Sequence, residues 1–424
     1  MQLIKEAQIL NQGALVTRDV LVDQGKIVEV APTITPKAGM TVYSAHGSFL
    51  TPGLVDVHVH FRDPGYTEKE TIKTGSMAAA AGGFTTVLAM PNLNPVPDTV
   101  AKLEAQIHRN QADGVIHVGQ YGAISADLTA TEVADIKDMA AAGAVAFTND
   151  GKGVQMAETM YQAMQAAALV NKPLSAHLED DSMLHGGVMN AGKRAVELGL
   201  PGITPLAESS QLARDLVLAQ ATGVHYHVAH ISTKTSVELV RLAKQAGIKV
   251  TAEVSPHHLL LSENDITEDD ALLKMNPPLR SEDDRQALIA GLLDGTIDMI
   301  ATDHAPHTSE EKAQSMRQAP FGITGIETSF ALMYTHLVQS RVMDLATLVD
   351  RMLVKPVQAF NLSAPTEIKA GVRADLALFD LENQAEITAD QFYSKGRNSP
   401  FIGWSVYGTT VATWVAGQQV FERN

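Results

Sequence analysis

The 424-residue sequence contains no cysteine. This absence excludes disulfide bonds, a thiolate nucleophile, iron–sulfur clusters and cysteine-ligated zinc. Any metal ion must therefore be bound by histidine, carboxylate or water. Positive charge is also scarce, since 32 lysines and arginines stand against 48 aspartates and glutamates, for a net charge of −16. A negative field of this size repels polyphosphates and anionic lipid surfaces, so we expect no nucleic-acid partner.

Long apolar runs and phosphate-binding loops are missing as well. No run reaches the roughly 18 apolar residues of a membrane span, and the first residues lack the core of a signal peptide, so we expect a cytoplasmic protein without a membrane partner. Gly151-Lys152-Gly153 has neither P-loop nor dinucleotide-binding spacing, which argues against a nucleotide cofactor. The Gly-x-Ser-x-Gly motif of serine hydrolases is also absent.

The middle of the chain alternates apolar strands with helical segments. Eight strands are predicted, at residues 54–60, 84–91, 115–124, 144–150, 173–177, 224–230, 250–255 and 298–303. A helix is predicted over 236–245, where apolar residues follow helical spacing up to Gly247, and another opens at Thr204-Pro205. This alternation predicts the α/β class with a parallel sheet, and eight units predict closure into a (β/α)8 TIM-type barrel. A doubly wound open sheet is the alternative.

Both ends of the chain differ from this middle. Residues 1–51 and 362–424 contain short strand-like segments separated by turns, such as Asn11-Gln12-Gly13 and Asp23-Gln24-Gly25. We expect the two ends to form one composite small β-sandwich domain, with residues 52–361 as the barrel.

The clearest chemical signal lies in the first barrel strand. Side chains alternate along a strand, so His58 and His60 share one face while Val57 and Val59 lie on the other. The two imidazoles then project at the carboxyl end of the strand, where barrel enzymes place their sites. A pair of ordinary hydrogen-bonded histidines in a polar pocket is the alternative reading.

Other strand ends carry residues of the same kind. Asp150 ends the fourth strand, His177 the fifth, His230 the sixth and Asp303 the eighth. Four imidazoles and two carboxylates suit divalent zinc, and six ligands suit two ions that share a bridging carboxylate. Such a pair activates water and polarises the carbonyl that the water attacks.

The remaining histidines are given lesser roles. His225 and His227 have the opposite strand parity from His230, so we expect them to point outward toward the helices and to be structural. His307, in the loop after the eighth strand, is the best candidate for a histidine that acts without binding metal.

Taken together, these motifs resemble the amidohydrolase superfamily and, within its cyclic amidases, the bacterial type I dihydroorotases. The resemblance covers nearly the whole chain. It rests on the motifs Pro52-Gly53-Leu54-Val55-Asp56-Val57-His58-Val59-His60, Met90-Pro91-Asn92, Ala229-His230-Ile231-Ser232, Asn276-Pro277-Pro278-Leu279-Arg280, Thr302-Asp303-His304-Ala305-Pro306-His307 and Gly322-Ile323-Thr324-Gly325-Ile326-Glu327.

The resemblance implies reversible ring opening of (S)-dihydroorotate to N-carbamoyl-L-aspartate, a step of pyrimidine biosynthesis, with two zinc ions per subunit. By position, His58, His60 and Asp303 would bind one zinc, and His177 and His230 the other. Asp150 would bridge them, and Asp303 would also shuttle the proton. The implied substrate contacts are His60, Arg62, Asn92, Asn276, His307, Phe321 and Gly322, with Arg62 holding the substrate carboxylate.

One position departs from many relatives, which bridge the metals with a carboxylated lysine at the end of strand four. Here that position is Asp150, and a carboxylate can bridge directly. Modification of Lys152, two residues further along, is the alternative.

Three other functions compete with this one. Allantoinase or dihydropyrimidinase (hydantoinase) shares the barrel and metals but needs no carboxylate clamp, whereas a non-catalytic scaffold for aspartate transcarbamoylase would lack several ligands. A mononuclear deaminase has no use for Asp150. The resemblance suggests a homodimer and leaves association with a transcarbamoylase open. The polar segment 308–320 is either a lid over the mouth or a solvated surface loop.

Overall fold

The computed structural model describes residues 1–423. Its main features are a barrel of parallel strands and a separate sheet built from the two ends of the chain. The strands are β1 (Gln2–Asn11), β2 (Ala14–Asp23), β3 (Lys26–Ala31), β4 (Thr41–Ser44), β5 (Phe49–Pro52), β6 (Leu54–Val59), β7 (Phe84–Ala89), β8 (His117–Gln120), β9 (Gly122–Ala123), β10 (Phe147–Thr148), β11 (Leu174–Ala176), β12 (Met189–Asn190), β13 (Gly202–Ile203), β14 (Tyr226–Val228), β15 (Val250–Val254), β16 (Met299–Ile300), β17 (Leu376–Asp380), β18 (Ala385–Glu386), β19 (Ser405–Val406), β20 (Thr409–Val415) and β21 (Gln418–Glu422).

Helices separate the barrel strands. They are α1 (Ile72–Ala81), α2 (Val100–Asp113), α3 (Ile136–Ala141), α4 (Ala157–Leu169), α5 (Lys193–Leu198), α6 (Leu206–Thr222), α7 (Lys234–Gln245), α8 (Pro256–Leu260), α9 (Glu282–Asp294), α10 (Ser309–Lys312), α11 (Ser329–Met333), α12 (Leu345–Val349) and α13 (Lys355–Phe360). Two π-helical segments, Tyr334–Gln339 and Asp350–Val354, continue α11 and α12. Among residues 1–423, no helix combines the length and apolar character needed to cross a membrane.

The barrel strands are parallel and follow one another in order. β6, β7 and β8 pair in sequence, as do β9, β10, β11, β14, β15 and β16. β8 and β9 are the two halves of the predicted third strand, interrupted at Tyr121. The first and last strands meet where the His60 amide donates to the His304 carbonyl at 2.9 Å and the Asp56 carboxylate accepts from the Thr302 amide. The predicted (β/α)8 barrel is confirmed, with all eight strands shorter than predicted.

The two chain ends share an eight-stranded sheet. Its order is β21-β20-β17-β5-β1-β2-β3, with β4 pairing beside β1. It encloses a core of its own that includes Ile4, Leu50, Leu376 and Trp414. The two ends of the chain therefore share one sheet, as predicted. The division into domains at residues 52 and 361 stays a prediction.

The predicted helix starts lie within two residues of those in the structure. α7 begins at Lys234 because the Thr233 hydroxyl accepts from the Ser236 amide and caps its first turn. At α6, Pro205 has helical dihedrals and the Thr204 hydroxyl accepts from the Leu206 amide at 3.3 Å. These local signals are readable because they involve neighbours in the chain.

Candidate metal centre

All six predicted ligands meet at the carboxyl end of the barrel. They are His58, His60, Asp150, His177, His230 and Asp303, and each is buried. Three groups of three have ligand atoms within 4.8 Å of one another: His58, His60 and Asp150; Asp150, His177 and His230; and His58, His230 and Asp303. The first two groups share Asp150, which is the arrangement expected of a bridging carboxylate. Asp303 groups with His58 and His230.

Asp150 lies at the centre of the six. Its Oδ1 is 3.4 Å from both His58 Nε2 and His230 Nε2, and its Oδ2 is 3.4 Å from His60 Nε2. His177 Nδ1 is slightly further, at 3.7 Å from Oδ1. Lys152, the alternative bridge, is exposed and lies outside this cluster.

Outer partners fix which ring nitrogen of His58 and of His60 faces the cluster. His58 Nδ1 is 2.6 Å from Glu253 Oε1, and His60 Nδ1 is 2.8 Å from Asn92 Oδ1. Because the Nδ1–H of each ring donates to its acceptor, the Nε2 lone pairs point inward toward Asp150. This outer acceptor on the far ring nitrogen is usual for metal-binding histidines.

The protein alone satisfies these inward atoms poorly. Within residues 1–423, His58 Nε2 and Asp150 Oδ1 are buried and have no hydrogen-bond partner. Burial lowers the pKa of His58, but the charges of Asp150, Glu253 and Asp303 outweigh it and hold that pKa well above its ordinary value. The cluster therefore favours a cation at this point, and its nitrogen and oxygen donors fit a divalent metal ion.

Both carboxylates of the cluster stay ionised. Burial alone would raise the pKa of Asp303, but His58 and His60 lower it below its ordinary value. His58, His177 and His230 act in the same way on Asp150, whose pKa is held well below its usual range. Both groups therefore present negative oxygens to a cation.

Three site residues have strained backbones. Arg62, His230 and Asp303 have φ values of 60°, 30° and 49°, in the left-handed region that favours glycine. Such strain costs on the order of 1–3 kcal/mol per residue and persists where the surroundings over-determine the conformation. It turns these side chains into the mouth of the barrel immediately after their strands end.

A hydrogen-bonded chain inside the barrel leads to His58. Glu253 accepts from His58 Nδ1, from His227 Nε2 at 3.0 Å and from the His230 amide at 3.2 Å. His227 Nδ1 then accepts from the Thr251 hydroxyl at 2.8 Å, and Thr251 accepts from His225 Nε2 at 2.8 Å. Each of these contacts pairs one donor with one acceptor when Glu253 is ionised. Burial would raise the pKa of Glu253, but the neighbouring His58 and His227 lower it to about 2.

The prediction that His225 and His227 point outward is therefore wrong. Tyr226 is the residue that points outward, with its hydroxyl donating to Asp215 of α6 at 2.8 Å. Strand β14 ends at Val228, and His230 has a positive φ, so parity counted back from His230 crosses a turn and is inverted. Glu253, which sequence reasoning missed, could have been found as the one carboxylate in the apolar strand β15.

We expect Glu253→Gln to weaken metal binding by about 10- to 100-fold. A glutamine amide offers one acceptor oxygen, so it cannot accept from both the His58 and His227 rings, and His58 loses its fixed tautomer. Chelator competition followed by elemental analysis measures the affinity. Glu263→Gln is the matched control, because Glu263 is also buried but accepts from Asn190 rather than a histidine. Equal affinity in both variants would contradict the role of Glu253.

A cavity of about 210 Å³ opens onto the cluster. Its lining contains five of the six predicted ligands and every predicted substrate contact: His60, Arg62, Asn92, Asp150, His177, His230, Asn276, Asp303, His307, Phe321 and Gly322, together with Gly151 and Ala305. His58 lies beneath this lining. The sequence-predicted residues are thus brought together around one space.

Arg62 and His307 also line the cavity. Arg62 is half-buried, and its guanidinium contacts in the described chain are long, at 3.4 Å to Pro306 O and to His307 Nε2. His307 Nε2 donates to Phe321 O at 2.8 Å. Burial and the charges of Arg62, Lys69 and Lys312 lower the pKa of His307 to about 3, so its ring is neutral. The guanidinium is the charge available to an anionic ligand.

Asn276 and Asn92 are oriented by hydrogen bonds to residues of the cluster or beside it. Asn276 Nδ2 donates to Glu179 Oε1 at 2.8 Å, and Glu179 Oε2 lies 3.4 Å from His177 Nε2. Burial would raise the pKa of Glu179, but His177 and Asn276 lower it to about 2. Glu179, a second residue that sequence reasoning missed, therefore positions both a predicted ligand and a predicted substrate contact.

Comparison with known proteins gives consistent results. The family model described as "Dihydro-orotase-like" matches residues 47–236. The chain is 56% identical over 423 residues to the dihydroorotase of Ligilactobacillus salivarius, covering 99% of each chain. It is 52% identical over 422 residues to the dihydroorotase of Staphylococcus aureus, covering 100% of this chain and 99% of that one.

Solved structures show the same architecture. The L-hydantoinase of Arthrobacter aurescens superposes with a TM-score of 0.89 at 27% identity, covering 100% of this chain and 96% of that one. The dihydropyrimidinase of Brevibacillus agri superposes with a TM-score of 0.86 at 21% identity, covering 99% and 95% of the two chains. The second of these likenesses concerns the fold alone.

Proposed function

The chain belongs to the dihydroorotase family, and on that premise we propose that its cavity opens and closes the ring of (S)-dihydroorotate, with N-carbamoyl-L-aspartate as the open form. The chain is accordingly a hydrolase of cyclic amides. The observation that carries the substrate assignment is the half-buried Arg62 guanidinium, which faces the same cavity as the metal-binding cluster. Dihydroorotate has a ring carboxylate that such a group can bind with two parallel hydrogen bonds.

The remaining cavity groups suit the rest of the ring. Asn92 accepts from His60 through its oxygen, which leaves its amide NH₂ for the carboxylate beside Arg62. Asn276 and the backbone at Phe321 and Gly322 also line the cavity and can meet the ring amide edge. These contacts would orient the scissile amide toward the metal-binding cluster.

We assign the metal ligands as predicted from the sequence. His58, His60 and Asp303 would hold one divalent ion, His177 and His230 a second, and Asp150 both. Zinc is the ion we propose, because it suits imidazole and carboxylate donors. When bound, the pair would supply Lewis-acid polarisation of the ring carbonyl and lower the pKa of the attacking water.

Asp303 is the proton carrier in this proposal. Its ionised carboxylate lies in the cavity wall, with Oδ1 3.0 Å from His60 Nε2. It would accept a proton from the attacking water and deliver it to the ring nitrogen that leaves. In the closing direction the same carboxylate would take the proton from the nitrogen.

Three further features, the oligomeric state, a protein partner and the cellular location, are predicted from the sequence only. A homodimer, an association with aspartate transcarbamoylase and a cytoplasmic location stay predictions from the sequence. Allantoinase or hydantoinase activity is the alternative, since hydantoinases share this fold.

A steady-state assay on zinc-loaded enzyme tests the function. We expect ring opening of dihydroorotate to exceed that of hydantoin and allantoin in kcat/KM, with about two zinc ions per chain by elemental analysis. Faster opening of a neutral ring would overturn the substrate, and a metal-free, inactive protein would favour a scaffold.

A further inference from the structure

Two buried lysines lie behind the cavity wall. Lys274 and Lys312 are 4% and 6% exposed, which is unusual for lysines whose ammonium groups have no carboxylate partner. In the described residues, both ammonium groups donate to backbone carbonyls instead. The proposed mechanism does not use either lysine.

Lys312, at the end of α10, joins three points of the backbone. Its Nζ donates to Gly322 O at 2.9 Å, to Pro320 O at 3.1 Å and to Lys274 O at 3.2 Å. Three carbonyls use all three N–H bonds of an ammonium group. Lys312 thereby ties the segment that ends at Gly322 to the segment that leads into Asn276.

Lys274 holds the same segment from the other side. Its Nζ donates to Met316 O and Ala319 O, both at 2.5 Å, and lies 4.2 Å above the centre of the Phe321 ring. Its carbonyl also accepts from the Gly322 amide at 3.0 Å. The loop 308–320 is thus fastened beneath the cavity rim at several points.

The fastened backbone lines the cavity at Phe321 and Gly322, which the proposed function places against the ring amide. Gly322 has a φ of 124°, and a Cβ there would come within 2.7 Å of the Ala305 Cβ, so this backbone fits tightly into the wall. Phe321 O is already occupied by His307. A small shift of Pro320 or Gly322 would therefore move several substrate contacts together.

We propose that Lys312 and Lys274 are positioning residues, whose buried ammonium groups hold the Phe321–Gly322 backbone against the ring amide and so set substrate affinity. This inference rests on the proposed function. It assigns the lysines no contact with substrate, metal or reacting atoms. Their loss should raise KM and leave kcat unchanged.

The charge of Lys312 supports a pH signature. Burial and the neighbouring Lys274 lower the pKa of Lys312 to about 7, against the opposing effects of Asp270 and Glu311. Asp269, His307 and Arg397 are the other ionisable groups on the cavity that Lys312 lines. At pH values below this pKa, the ammonium group has three N–H bonds and donates to all three carbonyls. At higher pH the neutral amine has only two N–H bonds, and its lone pair faces the third carbonyl, so Lys312 holds the backbone less firmly as pH rises.

The test compares Lys312→Met with Lys244→Met on zinc-loaded enzyme over about pH 6–9. Lys244 is the matched control, because its Nζ also donates to a carbonyl, Gly295 O, at the other end of the barrel. We expect Lys312→Met to raise the KM for dihydroorotate about tenfold at pH 6 with kcat and zinc content unchanged. Wild-type KM should rise above pH ~7, whereas the variant KM should be flat.

The results that would overturn the role of the two lysines differ from those that would overturn the proposed function. A wild-type enzyme that opens dihydroorotate with a pH-independent KM would overturn the lysine assignment and leave the function standing. So would a folded Lys312→Met whose KM is unchanged, or whose kcat falls alone. If Lys312→Met does not fold, Lys274→Met decides by the same measurements, since it retains Lys312. It should raise KM and move the pH-dependent rise of KM to higher pH, because the charge of Lys274 no longer lowers the Lys312 pKa; an unchanged KM would overturn the assignment.

Discussion

Asp303→Asn should lower turnover of dihydroorotate by at least about 10²-fold while zinc stays bound. Asparagine keeps an oxygen in the place of Oδ1, which is 3.0 Å from His60 Nε2, so the metal-binding cluster keeps its shape. An amide oxygen is a very weak base and cannot take a proton from water at neutral pH. Steady-state turnover at saturating dihydroorotate, with elemental analysis of the same sample, measures both quantities.

The matched control for this variant is Asp298→Asn. Asp298 lies on the same segment, five positions earlier, and accepts from Lys244 and the Ala252 amide at the opposite end of the barrel. Its turnover should be near that of the wild type. Near-normal turnover of Asp303→Asn would refute the proton-carrier role, and loss of zinc together with turnover would assign Asp303 to metal retention instead.

The barrel and its ligands are predictable from the sequence because their signals are local. Alternation places His58 and His60 on one face, and both rings reach inward to Glu253 and Asn92 although the pairing of β6 with β7 has register shifts. Parallel strands of a closed barrel end at one rim, so residues after different strands meet without any knowledge of their contacts. Convergence of Asp150 and His230 follows from this topology.

Alternation fails where a strand ends before the residue of interest. His230 lies two residues beyond β14 with a φ of 30°, and this turn inverts the parity of His225 and His227. For this reason the hydrogen bonds that connect His227 through Glu253 to His58 could not be predicted from the sequence. A short strand followed by a strained residue is not visible in an apolar pattern.

The supporting contacts of the rim could not be predicted for a different reason. Lys312 bonds to backbone carbonyls, and any residue offers a carbonyl, so no partner residue type marks the contact. Asn398, from the C-terminal segment, donates to Ala305 O and Gly322 O, both at 3.1 Å, and accepts from the His307 amide. Its position depends on how the C-terminal segment packs against the barrel.

Arg62→Met should raise the KM for dihydroorotate by about 30-fold or more, equivalent to about 2 kcal/mol of lost binding. Methionine keeps an unbranched apolar chain in place of the arginine stem, so the packing is largely retained, while the substrate carboxylate loses its cationic partner. The nearest charge left on that side, Lys69, is engaged with Glu311 at 2.7 Å and is not free to substitute. Initial rates over a range of dihydroorotate concentrations measure KM, and zinc content should be unchanged.

Two comparisons separate loss of the clamp from general damage. Arg109→Met is the matched control, because Arg109 is exposed and lies 4.0 Å from Asp63 outside the cavity. The kcat/KM for hydantoin, which has no carboxylate, should change little in Arg62→Met. The ratio of kcat/KM for dihydroorotate to that for hydantoin should therefore fall by nearly the full factor by which KM for dihydroorotate rises. An equal loss for both substrates would mean that Arg62 supports the ring or the cavity wall rather than the carboxylate, and the substrate assignment would then have no cation to rest on.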